Sequence, residues 1–147
     1  MFAPHNLTML SLSSAAEIIT HYIPDLQAAY LYGSANEPGM PLEAVGDIDI
    51  ALLLPPGSPL DRSQLMLSTL RTKLEDELGL PVDLSELRGA STVFAIEVIH
   101  TGQRFFVADR FAADTFEMLA LSEYQRLNER RAAILTDIRA SGRAVHL

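Results

Sequence analysis

The 147-residue chain contains no cysteine. That absence excludes a disulfide scaffold, a cysteine-ligated zinc site and a thiol nucleophile, and leaves the compartment open. Positive charge is missing from a whole region. Residues 1–60 contain no Lys or Arg, yet they carry Glu17, Asp25, Glu37, Glu43, Asp47 and Asp49. The remainder holds all 11 basic residues, and the formal net charge is −8. Displacing counterions from a nucleic acid takes a basic face, so no direct nucleic-acid binding is expected. A free nucleotide remains open, because metal ions can supply positive charge, and so does a basic protein partner.

Long apolar runs are missing too. The longest is Ile50–Leu54, far short of the ~20 residues that a spanning helix needs. The stretch Met1–His5 lacks the basic segment of a secretory signal. No membrane association and a cytoplasmic location are expected. There is no internal repeat, no low-complexity linker and no Gly-x-Ser-x-Gly elbow for a serine hydrolase. His5, His21, His100 and His146 form no helical pair that would suit zinc.

What is present is an ordered, globular composition, 48% apolar and 20% charged. The length fits one domain over residues 1–147, with a core that buries about two-thirds of the unfolded surface. Ser14 and Glu17 have capping-box spacing and predict a helix from Ser14 to about Tyr22. Short apolar runs predict strands over 28–32, 47–54, 80–84 and 104–107. Helical periodicity predicts helices over 58–78, closed by Gly79, and from Phe111 to about Ile138. Residues 91–100 suit either state. The Thr101-Gly102 stop, with a strand following, favours helix. Residues 141–147 are expected to fray. The resulting order implies an α+β (α/β-like) fold: a small mixed sheet of about four strands flanked by helices.

Three features carry chemistry. Gly33-Ser34 follows a strand directly, where a turn can bring backbone N–H groups and a hydroxyl to a phosphate. In Asp47-Ile48-Asp49, both carboxylates project to one face of a strand while Ile48, Ile50 and Leu52 project to the other. Two like charges so close repel, and Mg²⁺ offsets that repulsion with one or two carboxylates plus substrate phosphates. Asp83 is a third acid set in a short apolar strand. If that strand neighbours the first pair, three carboxylates converge, enough to hold metal ions and accept a proton from an attacking hydroxyl.

Gly-Ser, a loop, Asp-x-Asp in a strand and a later strand Asp together resemble the nucleotidyltransferase signature of the DNA polymerase β-like superfamily. The size resembles its minimal (MNT) group. Over residues 15–138 the chain is similar to MNT antitoxins, the partners of HEPN-domain RNase toxins. The segments Phe94–Gly102, Arg104–Phe106 and Phe116–Tyr124 match that group's C-terminal half. The resemblance implies the nucleotidyltransferase fold with a long C-terminal helix. It implies transfer of AMP from ATP to a tyrosine hydroxyl of the toxin. Gly33 and Ser34 would then hold the triphosphate, Asp47 and Asp49 would bind Mg²⁺, and Asp83 would complete the metal site and help deprotonate the acceptor.

The chain departs from the group's pattern after Gly-Ser, where the loop from Ser34 to Asp47 is also a little longer than expected. Many members carry an Arg shortly after Gly-Ser, where this chain has Ala35-Asn36-Glu37. Neutralising a triphosphate then falls to metal, to backbone N–H groups, or to a residue such as Arg88 or Arg104. Two other functions fit the same residues: an antitoxin that masks its toxin without catalysis, and a nucleotidyltransferase for small molecules. Tyr30 and Tyr32 share a strand face and are assigned to core packing rather than base stacking. Glu75–Glu77 and Arg126, Arg130 and Arg131 are assigned to solvated helix faces. The Arg139 to His146 spacing is assigned no role.

Overall fold

Six residues in one strand organise the molecule. Along Ile48–Leu53, the side chains of Ile48, Ile50 and Leu52 enter one apolar cluster, while Ala51 and Leu53 enter another. A strand with two buried faces belongs at the centre of a sheet with helices on both sides. The computed structural model describes residues 9–37, 45–58 and 64–141 and has that arrangement. In chain order the elements are α1 (Met9–Tyr22), β1 (Ala28–Tyr32), a 3-10 turn (Ser34–Asn36), β2 (Ile48–Leu53), α2 (Gln64–Leu78), β3 (Val82–Glu86), α3 (Thr92–Thr101), β4 (Gln103–Val107) and α4 (Arg110–Ser141).

The sheet order is β3-β2-β1-β4. β1 pairs antiparallel with both β2 and β4, and β2 pairs parallel with β3. The mixed four-stranded sheet expected from the sequence is therefore present. On one face, Leu12, Ala15, Ile19 and Ile23 of α1 and its end, with Leu70 and Leu74 of α2, pack on Ala29, Leu31, Ile48, Ile50 and Leu52. On the other, Ala95, Ile96 and Val98 of α3 and Ala113 and Ala120 of α4 pack on Ala28, Tyr30, Ala51 and Leu53. Burial of each large aliphatic side chain contributes about 1.5–3 kcal/mol.

A register shift between Ala29 and Tyr30 sets Arg104 opposite Tyr30. The Tyr30 hydroxyl donates to Glu117 at 2.7 Å. Arg104 Nη1 donates to Glu117 and Asp114, each at 2.9 Å. This polar bridge fastens α4 to the sheet, and burial first, then Glu117, holds the Tyr30 hydroxyl well above the usual phenol range. α3 starts at Ser91, whose hydroxyl accepts the Phe94 N–H. α2 ends in the left-handed Gly79 (φ 79°), whose N–H returns to the Glu75 carbonyl at 2.8 Å.

Some expectations need correcting. α1 starts by Met9 rather than at Ser14. Burial of Leu12 and Ala15 outweighs the mild helix penalty of the serines, so the capping-box spacing lies inside the helix. β3 runs Val82–Glu86 rather than 80–84. Glu75 is not simply solvated: its Oε2 accepts the Val82 N–H at 2.9 Å and fixes where that strand begins. α4 continues to Ser141. Residues 38–44 of the loop, 59–63 ahead of α2 and 142–147 of the tail lie outside the described residues.

Candidate active site

At the start of β2 the pattern of apolar side chains breaks. Asp49 is the one residue of that strand not fully buried. It faces the α3/α4 side because it shares parity with Ala51 and Leu53. The parallel register sets Asp83 of β3 directly beside it, and the antiparallel register sets Tyr32 of β1 on its other side. Neighbouring strands stand roughly 4.8 Å apart, so these three side chains form a row across the sheet. Asp47 has the same parity one step before the strand and is exposed.

Electrostatics registers this convergence. Partial burial first, then the charges of Asp47 and Asp83, raise the Asp49 carboxyl above its ordinary pKa of 3.8. Burial also raises the Tyr32 hydroxyl, with all three acids adding to the effect, while its hydrogen bond with Ser85 opposes it. That bond, 3.3 Å from Tyr32 Oη to Ser85 Oγ, carries the Tyr32 side chain across β2 beside Ala51. The ring meets Phe94 of α3 edge-on at 5.4 Å.

Gly33 turns the chain out of β1 with φ 76°. A Cβ here would collide with Asp49 Oδ2 and lie 3.2 Å from its Cγ. Glycine thus meets two needs at once: a left-handed backbone and direct approach to a carboxylate. Ser34 opens the 3-10 turn, which closes through Asn36 N–H to Gly33 O and Glu37 N–H to Ser34 O, each 3.1 Å. Beside this turn lies an open cleft of about 790 Å³, lined by Tyr32, Gly33, Asn36, Glu37, Glu97, Thr101 and Gln103. Its size suits a small ligand.

The five site residues read from sequence therefore lie at one end of the sheet, with Asp49 touching the Gly33 turn. The two arginines offered as charge partners lie elsewhere. Arg88 donates to the Leu54 carbonyl and to Gln27, at the far end of β2, and lies 5.5 Å from the Phe116 ring centre. Arg104 is engaged by Asp114 and Glu117. Tyr32 packs against the α3/α4 core as expected, but it is only partly buried and also lines the cleft beside the acids, whereas Tyr30 is core. Its position immediately before Gly33 was the available signal. Ser85, two residues after Asp83 on the same strand, was visible by the same parity argument.

Among the described residues no group of three acidic or histidine side chains closes around one point. The row of Asp49 and Asp83 with Asp47 near it suits Mg²⁺ instead, which is held by one or two carboxylates and completes its shell with water and phosphate oxygens.

The acids thus lie on the parallel β2/β3 pair, beside the Gly-Ser turn that leaves the adjacent strand. The polymerase β nucleotidyltransferase family model matches residues 14–111, and the chain belongs to that family. It is 31% identical over 135 residues to the protein adenylyltransferase MntA of Shewanella oneidensis, covering 92% of each chain. It also matches, at TM-score 0.67 and 31% identity, a chain in the structure of tri-AMPylated Shewanella oneidensis HEPN toxin in complex with MNT antitoxin, covering 90% of this chain and 99% of that one. A toxin–antitoxin structure with AMP-PNP gives TM-score 0.68 and 32% identity over 90% of this chain and 99% of that one. Among the described residues no helix is long and apolar enough to cross a membrane.

Proposed function

We propose that this chain is a protein adenylyltransferase and antitoxin: it transfers AMP from ATP to a tyrosine hydroxyl of a cognate HEPN-type toxin and so inactivates it. The observation that carries this reading is the pairing of Asp49 with Asp83 across the parallel strands, against the Gly33 turn. The similarity to MntA, named an adenylyltransferase, supports the reaction class.

In this reading the Gly33-Ser34 turn would hold the triphosphate, and Asp49 and Asp83, with Asp47 near them, would hold Mg²⁺, whose shell water and phosphate oxygens would complete. When bound, Mg²⁺ neutralises phosphate charge and polarises the α-phosphate. The acceptor oxygen bonds to the α-phosphorus, the bond to the β-phosphate oxygen breaks, and pyrophosphate leaves. Asp83, at the outer strand of the row, accepts the phenolic proton. Such transfers depend on positioning and charge neutralisation more than on covalent chemistry. The reading includes the cytoplasm, where ATP is available, as the compartment.

The lack of Lys and Arg in residues 1–60 favours a second reading, in which an acidic surface masks a basic toxin. Co-expression with the cognate toxin separates the two. Catalytic neutralisation requires that the wild-type chain relieve growth arrest and that Asp49→Asn fail. Relief by Asp49→Asn through a stable complex would move the function to masking.

A further inference from the structure

The turn Gly33–Glu37 contains no Lys or Arg, and the last residue of its 3-10 stretch is Asn36. The Asn36 amide leaves the turn and donates to the Thr101 carbonyl at 2.8 Å, 65 positions further along the chain. Thr101 is the last residue of α3, where a helix leaves carbonyls without partners. Asn36 satisfies one of them.

The anchor itself is fixed. Gly102 closes α3 through its N–H to Val98 O at 2.8 Å. A Cβ on Gly102 would collide with Val98 O and lie 2.9 Å from Leu31 O. The end of α3 therefore sits directly on the backbone of β1, two residues before Gly33. The contacts close a ring: Leu31, Gly33, Asn36, Thr101, Gly102 and back to Leu31. Asp49 abuts this ring at Gly33.

We propose that Asn36 is a positioning residue for the nucleotide. It closes the ring that fixes the Gly33-Ser34 turn against Asp49, and it supplies by geometry part of what a cation in the turn would supply by charge. A preorganised turn binds a triphosphate without first ordering its own backbone. This inference rests on the reading that the turn holds the triphosphate.

The test is calorimetric titration of the full chain with Mg²⁺ and AMP-PNP, with steady-state kinetics on the cognate toxin. Asn36→Leu keeps the size and removes the donor. One hydrogen bond corresponds to roughly three- to tenfold weaker AMP-PNP binding and a matching rise in KM for ATP. The kcat at saturating ATP and the KM for toxin stay within about twofold, a factor well below that expected loss. Asn36→Gln, which retains the amide, recovers part of the affinity. Unchanged AMP-PNP binding in Asn36→Leu overturns the proposal. So does a parallel rise in both KM values with a lowered Tm, which marks general loosening. Ser34→Ala and Gly33→Ala in the same titration isolate the underlying reading. If they weaken binding while Asn36→Leu does not, only this inference fails. If they too leave binding intact, or if the wild-type chain does not bind, the turn is not the triphosphate site and both fail.

Discussion

The two faces of the sheet are built from the same strands and serve different ends. Along β2 the α1/α2 face is apolar, with Ile48 and Ile50 fully buried and Leu52 nearly so. The α3/α4 face is apolar only along part of its length. There Ala51 and Leu53 give way to Asp49, flanked by Asp83 and Tyr32. In β2 the even-numbered residues therefore stabilise the fold, and the odd-numbered ones change from core to chemistry within one step of two residues. The lesson is that the cost of the acids is confined to one strand end. A sealed core one side chain away holds their backbone in place.

The comparison is broken most sharply at Asp49. Asp49→Asn is expected to lower the AMP-transfer rate by roughly 10³-fold, since it removes one carboxylate of the charge-neutralising set. The same change is expected to raise the Tm of the metal-free protein at neutral pH. The folded-state pKa of Asp49 is raised, so the native chain binds its proton more readily than the unfolded chain does. This contribution to stability is present at low pH and is lost as pH rises from about 3.8, the ordinary value, through the folded pKa. Melting curves from pH 7 downward check the sign: the wild type gains stability from this group and Asp49→Asn shows no such gain.

Ile50→Ala, one residue away on the other face, is expected to do the reverse. It costs about 3 kcal/mol of stability by opening a cavity, while the folded fraction keeps its kcat. Urea unfolding and rate per folded molecule separate the two. Gly33→Ala comes next. Strain at a positive φ costs about 2 kcal/mol, and the collision with Asp49 displaces the carboxylate, so activity falls alongside stability. Parallel melting and rate measurements show whether both decline. Ser91→Ala is expected to be the mildest, about 1 kcal/mol for a lost helix cap, read by thermal melting with transfer activity retained.

Much of this division was legible in the sequence because it is local. Ala28–Tyr32 is bounded by Gly33 and is a strand as read. Ser91 and Gly102 bracket α3 as read. The alternation through Asp47, Asp49, Ile48 and Ile50 assigned both faces of β2 correctly. Other parts depend on contacts that are distant in sequence. Ser14 and Glu17 look like a helix start, yet burial of Leu12 and Ala15 carries α1 back to Met9. Whether Asp83 meets Asp49 is decided by β3 joining β2 in parallel, which no local pattern specifies. Arg88 and Arg104 were plausible phosphate partners until tertiary contacts committed them to Leu54, Gln27, Asp114 and Glu117. Asn36 reaching Thr101 left no trace in any periodicity.

The central claim is that the acidic end of one sheet face performs AMP transfer. It is tested most directly by incubating the purified chain with labelled ATP, Mg²⁺ and its cognate HEPN toxin, then resolving the proteins. The account predicts label on the toxin with the wild-type chain and none with Asp47→Asn or Asp49→Asn, both still folded. Label that persists in both variants, or a toxin that binds the wild-type chain tightly and stays unlabelled, would contradict it.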